Sequence, residues 1–351
     1  MLQSMTQASC GVPRAFNGHR LRRYYRDAIV DSRVSKHSTL RSDSMINGVQ
    51  MEDVRKSALI TGAGGFVGGH LAHRLLHEGW QVHAIVRDGS RIGDDLRHAG
   101  LITHVHDGST QCMVNIAHDA EPTIAFHLAS LFIAEHHPEQ VEPLISSNVL
   151  FGAQLLEGLR AANVPFLVNT GTSWQHYGDA EYNPVCLYAA TKQAFEDIVR
   201  YYTEATPLRV VTLKLFDTYG PNDHRQKLFA LLRRAADSGE QLLMSPGEQL
   251  IDLVYIDDVV DAFLAAAAKL IAGLGARQET YAVSSGKPIK LHDLVDLYAS
   301  VTARRLHITW AGRAYRTREV MSPWRGDEGL PNWQPMVMLE NGIKLATEEY
   351  G

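Results

Sequence analysis

The chain has 351 residues, 45% of them hydrophobic and 21% charged, with a formal net charge of -5, the balance of an ordinary globular protein. The acidic balance and a pI near 6.4 argue against a general nucleic-acid binder, and no apolar run approaches the length of a membrane span. Three scattered cysteines, Cys10, Cys112 and Cys186, form no metal-ligand pattern and suit a reducing cytosol, so a cytoplasmic protein without a metal is expected.

Residues 1–55 are basic, with Arg14, Arg20, Arg22, Arg23, Arg26, Arg33, Lys36 and Arg41 among many serines. They lack the apolar core of a secretory signal. An organelle-targeting segment and a plain disordered extension both fit this composition; the extension is favoured, with Met45 or Met51 as alternative starts. Fold signal begins near Ser57. Ser57–Thr61 reads as a strand, followed by glycines and a helix over Phe66–Gly79. Gln81–Val86 reads as a strand, Leu101–His106 as another, Thr110–His118 as a helix and Thr123–Leu128 as a strand. A long helix is expected over Pro143–Ala162, a strand over Phe166–Asn169, a helix over Tyr188–Glu204 and a strand over Arg209–Leu215. Short apolar strands alternating with helices predict an α/β fold with a doubly wound parallel sheet (Rossmann) over residues 56–220. Beyond it, His224–Asp237 reads as a helix, Ile251–Val254 as a strand and Ile256–Ile271 as a helix. Tyr281–Ser284, Leu291–Ala303 and Leu306–Ile308 follow. Residues 221–351 should form mainly a smaller substrate lobe, with some segments returning to the sheet.

The run Thr61-Gly-Ala-Gly-Gly-Phe-Val-Gly68 follows a strand and opens a helix. That is the setting of a dinucleotide fingerprint. Gly62 serves the tight turn, Gly65 the approach of the pyrophosphate, and Gly68 the packing of helix on sheet. At the end of the second strand, an acid would bind a ribose 2'-hydroxyl and an arginine would accept a 2'-phosphate. Arg87 stands first, followed by Asp88 and then Arg91, which favours NADP(H), with NAD(H) as the alternative. Tyr188 and Lys192 are four apart on a helix and share a face. An ammonium near a phenol lowers its pKa, so the pair can move a proton to or from an alcohol or carbonyl oxygen. The dinucleotide would exchange the hydride. His70, His73 and His77 form a stripe away from the apolar face of their helix and read as solvated. Cys186 lies two residues before Tyr188, but nothing marks it as activated.

These motifs resemble the extended short-chain dehydrogenase/reductase family, the NAD(P)-dependent epimerase/dehydratase group that acts on nucleotide sugars. The resemblance covers about residues 57–350. It is carried by Thr61–Gly68, Asp107-Gly108, His127-Leu-Ala-Ser130, Thr170-Gly-Thr-Ser173, Tyr188–Lys192, Phe216-Asp-Thr-Tyr-Gly-Pro221 and Tyr255-Ile-Asp-Asp258. It implies that Phe66, Val67, Asp107, Gly108, Leu128, Ala129, Ser130 and Phe216 line the cofactor together with the glycines. It also implies a catalytic hydroxyl five residues before the glycine of Tyr177-Gly178, which is Ser173, with Thr172 as its rival. Lys192 would hold the nicotinamide ribose. Dehydratases of the group carry Asp-Glu after that hydroxyl; this chain has Trp174 and Gln175, which cannot act as acid and base. The stretch Gly171–Phe195 is most similar to CDP-abequose and CDP-paratose synthases, which reduce a 4-keto-6-deoxy nucleotide sugar with NADPH. Asp217 stands where many epimerases have Asn. Arg225 and Lys227 could meet a substrate diphosphate.

The expected activity is therefore NADPH-dependent reduction at C4 of a nucleotide-linked ketosugar. A nucleotide-sugar 4-epimerase with bound NAD is the alternative within the family. A catalytically silent dinucleotide sensor or scaffold is the alternative outside catalysis, although both Tyr188 and Lys192 are retained. The expected partner is the nucleotide sugar, with no nucleic acid and no membrane; a homodimer is left open.

Overall fold

A computed structural model describes residues 56–326 and 329–348. The expectations for residues 1–55 lie outside the described residues.

Seven strands form one parallel sheet: β1 (Ser57–Thr61), β2 (Gln81–Arg87), β3 (Ile102–His106), β4 (Ile124–His127), β5 (Phe166–Thr172), β6 (Arg209–Leu215) and β11 (Gln278–Val283). Their order across the sheet is β11-β6-β5-β4-β1-β2-β3. Helices cover both faces, so the strands are apolar on both sides. Ala58 and Ile60 point into one layer with Leu71 and Leu75 of α1 (Phe66–His77). Leu59 points the other way, into a second layer with Met113, Leu155, Leu159 and Phe195. Those residues come from α3 (Thr110–Ala120), α5 (Phe151–Ala161) and α6 (Leu187–Ala205). Alternation of side chains along a strand explains this division.

The strand order reverses between β1 and β4. Their carboxyl ends therefore diverge and leave a crevice, the place where such sheets bind ligands. Thr61 ties the two ends together: its Oγ1 meets His127 Nδ1 at 2.9 Å and accepts the amides of Leu128 at 3.2 Å and Ala129 at 3.1 Å.

Several elements differ from the sequence expectation. A short α2 (Asp94–His98) follows β2. The expected helix over Pro143–Ala162 begins earlier, as α4 (Val141–Ile145), and passes through a π-helical turn (Ser146–Leu150) before α5. The later helix α7 (Leu228–Ser238) starts at Leu228 rather than His224. Arg225 is folded back on Asp223, its backbone amide and guanidinium both bound to that carboxylate. The expected strand Ile251–Val254 is two short strands, β9 (Leu250–Ile251) and β10 (Leu253–Tyr255). Asp252 between them is turned inward, accepting from Ser284 Oγ at 2.6 Å and the Ser285 amide at 2.8 Å. Leu253–Tyr255 pairs with β7 (Asp217–Tyr219).

Past residue 220 the chain does two jobs. Helix α8 (Ile256–Ile271) buries Val259, Val260, Phe263 and Leu270 in the first layer, and β11 extends the sheet beside β6. The remaining pieces are β8 (Gln241–Leu243), β12 (Ile289–Lys290), α9 (Leu291–Thr302), β13 (His307–Thr309) and α10 (Leu339–Glu348), and Leu242, Leu243 and Leu291 among them share a cavity with Ser173 and Trp174 at the carboxyl end of β5.

Candidate active site

A cavity of about 510 Å³ runs along the crevice. At one end is the turn that links β1 to α1. Gly62 has φ +80°, and a Cβ there would stand 2.7 Å from the Ala129 amide nitrogen. A Cβ on Gly68 would stand 2.1 Å from the Gly62 carbonyl oxygen. Only glycine fits either place. Gly65 begins α1 in extended conformation, with no side chain capping the helix, so the first amides remain available to an anion. This open end, with the backbone brought close by two obligatory glycines, fits a dinucleotide pyrophosphate.

At the other end lie Tyr188 and Lys192 on α6, with Thr172 and Ser173 at the end of β5. Both α6 residues are almost fully buried, Tyr188 at 8% and Lys192 at 2% exposure. The Tyr188 phenol has the hydroxyls of Ser130 and Thr172 as hydrogen-bond partners. Its ring meets Phe132 edge-on, with centroids 5.0 Å apart. Burial pushes the phenol up to about 12, outweighing those two bonds. Burial pushes Lys192 the other way, down to about 8, with Glu196 opposing the shift and Lys214 adding to it. The expectation that Lys192 holds the phenol below its ordinary pKa is thus not met in this structure. Loss of solvent around both groups dominates. His127, wholly buried beside Phe195, is held near 3 by burial and by Lys192, so it stays neutral.

The structure brings together Gly62, Gly65, Phe66, Val67, Gly68, Leu128, Ser130, Thr172, Ser173, Tyr188, Lys192, Phe216, Asp217, Arg225 and Lys227 around this one cavity. A second cavity of about 450 Å³ opens beneath the C-terminal lobe. The two share Ser173, Trp174, Phe216, Asp217, Gln226 and Lys227. Ser173 therefore stands where a ligand from the lobe would reach the buried phenol. Lys227 Nζ meets Asp217 Oδ1 at 3.3 Å at that junction. Arg225 lies nearer the glycine turn: its guanidinium is 4.4 Å from the Phe66 ring centroid and donates to the Thr218 carbonyl. That position places it on the dinucleotide side rather than in the lobe cavity.

Arg87, Asp107 and Gly108 lie apart from the cavity wall. Arg87 is exposed at the end of β2. The Arg91 carbonyl approaches the turn, 2.8 Å from where a Cβ on Gly64 would stand. Asp107 accepts the Ser109 amide at 2.8 Å, which lowers its pKa, and Gly108 accepts from Gln154 Nε2. Ala129 faces Gly62 with its backbone. Burial raises the Cys186 thiol, which keeps it unreactive.

Two contributors carry no mark in the sequence. Asn148, in the π-helical turn, accepts the Leu131 amide at 2.7 Å and the Ser130 hydroxyl at 3.3 Å, and donates to Leu131 O and Thr191 Oγ1 at 3.0 Å each. It pins the loop after β4 to α6. An isolated asparagine in a helical stretch gives no such signal; the π turn that aims it is a tertiary feature. Trp324 stacks on His176 at 3.9 Å between centroids and parallel to Phe216 at 6.2 Å, walling the second cavity. It comes from a stretch without periodicity.

The chain is 27% identical over 299 residues to a CDP-abequose synthase of Salmonella muenchen, spanning 84% of this chain and 98% of that protein. It is also 27% identical over 320 residues to a UDP-glucose 4-epimerase of Mycolicibacterium smegmatis, spanning 83% and 97%. Among solved structures, MoeE5 in complex with UDP-glucuronic acid and NAD shares the fold, with a TM-score of 0.72 at 24% identity over 83% of this chain and 98% of that one. Residues 58–282 match the family described as NAD dependent epimerase/dehydratase. That match spans more than half of the chain, and the chain belongs to the NAD dependent epimerase/dehydratase family.

Proposed function

We propose that this enzyme reduces a nucleotide-linked 4-keto-6-deoxy sugar at C4, using NADPH. The observation that carries the reading is geometric: Ser173, at the junction of the two cavities, lines the same wall as the buried Tyr188 and Lys192, and the two residues that follow it, Trp174 and Gln175, offer no acid-base pair. A phenol there can give its proton to a carbonyl oxygen as the hydride arrives. The similarity to a CDP-abequose synthase along almost its whole length supports the same direction.

The glycine turn, the open end of α1 and Lys192 would hold the dinucleotide. Arg87, at the end of β2, and Arg91, whose carbonyl meets Gly64, would receive a 2'-phosphate. When bound, the cofactor supplies a hydride. The chain's own groups do the rest. Ser173, at the junction of the two cavities, would donate a hydrogen bond to the substrate C4 oxygen. Tyr188 would protonate that oxygen, and Thr172 and Ser130 would hold the phenol in place. Lys192, charged below pH of about 8, would offset negative charge as the proton leaves. Lys227 and Asp217 would border the sugar or its diphosphate. Trp174 and Gln175 offer no carboxylate for dehydration.

The test is a panel of nucleotide-linked 4-ketosugars monitored for NADPH consumption. Consumption with one of them supports the reading. Interconversion of two 4-hydroxy sugars without added cofactor would replace it with 4-epimerisation, which the comparable similarity to a UDP-glucose 4-epimerase keeps in view. Tight binding of the dinucleotide with no turnover on either set would point to a sensor.

A further inference from the structure

One buried polar cluster behind the site has no part in the reaction as described. Glu196 lies four residues beyond Lys192 and eight beyond Tyr188, on the same face of α6. Its Oε2 meets Lys214 Nζ of β6 at 2.9 Å, with side-chain exposures of 8% and 3%. Its Oε1 accepts from Gln175 Nε2 at 3.0 Å. The same Nε2 donates to Gln193 Oε1 at 2.8 Å, and Gln175 Oε1 accepts the Thr172 amide at 3.0 Å. The orientation of the Gln175 amide is forced: a carboxylate only accepts and a backbone N–H only donates. A Cβ on Gly171 would stand 2.8 Å from Lys214 Cδ, 3.0 Å from Glu196 Oε1 and 3.1 Å from Gln175 Oε1. The turn carrying Thr172 and Ser173 therefore rests directly on the cluster.

We infer that Glu196 and Lys214 are positioning residues, which act through Gln175 on the Thr172–Ser173 turn and, one helical turn along α6, on Lys192. A buried ion pair is a poor means of stabilising a fold, since desolvation offsets its attraction. Here its two ends reach the two halves of the site. One carboxylate oxygen holds Gln175 and so the hydroxyl turn. The charges act on Lys192 with opposite signs, Glu196 favouring the ammonium and Lys214 opposing it. The other titratable groups around Lys192 are Tyr188 on α6 and His127 on β4, and His127 is neutral. The sole modulators of charge next to Lys192 among the described residues are thus this pair. Gln175 is fully buried and turned to Glu196.

The inference rests on Tyr188 and Lys192 forming the site, so its test has one reading that needs no substrate. Three variants of the full chain are compared: Gln175→Leu, Glu196→Gln, and the double Glu196→Gln/Lys214→Met. Each is measured for the pH dependence of kcat and, separately, of NADPH affinity. Gln175→Leu frees the turn and should lower kcat by about 10- to 100-fold, leaving the alkaline limb of both profiles in place. Glu196→Gln keeps an acceptor for Gln175 but removes the negative charge, and should move the alkaline limb down by about 1 pH unit. The double variant removes both charges and should return the limb toward its wild-type position. It also removes the Lys214 charge that the single variant would leave without its carboxylate, so it remains informative if the single variant fails to fold. A limb that is in the same place in a folded Glu196→Gln variant, or displaced further in the double, would overturn the inference. If no ketosugar is turned over yet NADPH affinity shows the opposed shifts, the reaction reading fails and the positioning role stands.

Discussion

Replacing Tyr188 by Phe separates chemistry from structure at this site. The substitution removes one oxygen. The ring's edge-on packing against Phe132 is retained. The two hydroxyls that lose the phenol are not stranded: Ser130 still donates to Asn148 Oδ1 at 3.3 Å, and Thr172 Oγ1 still accepts the Trp174 amide at 3.3 Å. The stability cost should therefore be that of an ordinary hydrogen bond, about 1 kcal/mol, or about 2–4 °C in Tm for a domain of this size. Turnover should fall by about 10²–10⁴-fold, the contribution of a positioned acid. The dinucleotide contacts of the glycine turn are remote from the phenol, so the Kd for NADPH should change little. Purified variant and wild type are compared by NADPH consumption, cofactor titration and thermal melting. A variant that folds, binds cofactor and turns over within a few-fold of wild type would refute the role given to Tyr188.

Exchanging both Arg87 and Arg91 for neutral residues should weaken NADPH far more than NADH, each lost charge-assisted bond contributing about 1.5–3 kcal/mol; equal losses in cofactor titrations would remove the 2'-phosphate assignment. Gly68→Ala forces a methyl to 2.1 Å from the Gly62 carbonyl, so it should abolish dinucleotide binding and lower Tm; unchanged affinity would show that the turn is not the pyrophosphate site. Lys192 has a folded pKa of about 8 against an ordinary 10.5. The unfolded chain then binds the extra proton between those values, so this group makes stability rise with pH across that window. Lys192→Met should accordingly melt no lower than wild type at neutral pH while losing turnover, and its relative advantage should shrink above pH of about 10; a large drop in Tm at neutral pH would contradict this. Asn148→Leu strands the Leu131 amide and carbonyl, at about 1–3 kcal/mol each, and should weaken cofactor affinity through the loop at Ser130; unaltered affinity and Tm would show that the clamp is idle.

The parallel sheet was legible along the chain because its strands are short apolar runs that alternate with amphipathic helices, and hydrophobic period reports which faces are buried. The glycine turn was legible because steric demands at Gly62 and Gly68 exclude every other residue type. Tyr188 and Lys192 were legible because their spacing is one helical turn, a local property. What depended on contacts far apart in sequence was not legible. A return of some later segment to the sheet was expected, but no pattern shows that Gln278–Val283 is the one and that it lies beside β6, that Asp252 turns inward and breaks a strand, or that Arg225 folds back onto Asp223 beside Phe66. The pKa balance at the site was expected with the wrong leading cause, since spacing announces a neighbouring charge but only the packed structure sets the desolvation that outweighs it. The same holds for Asn148 and for the Gln175–Glu196–Lys214 cluster. Each residue is unremarkable in sequence and acquires its role from partners on other elements, because burial makes unsatisfied polar groups costly and forces them to find one another.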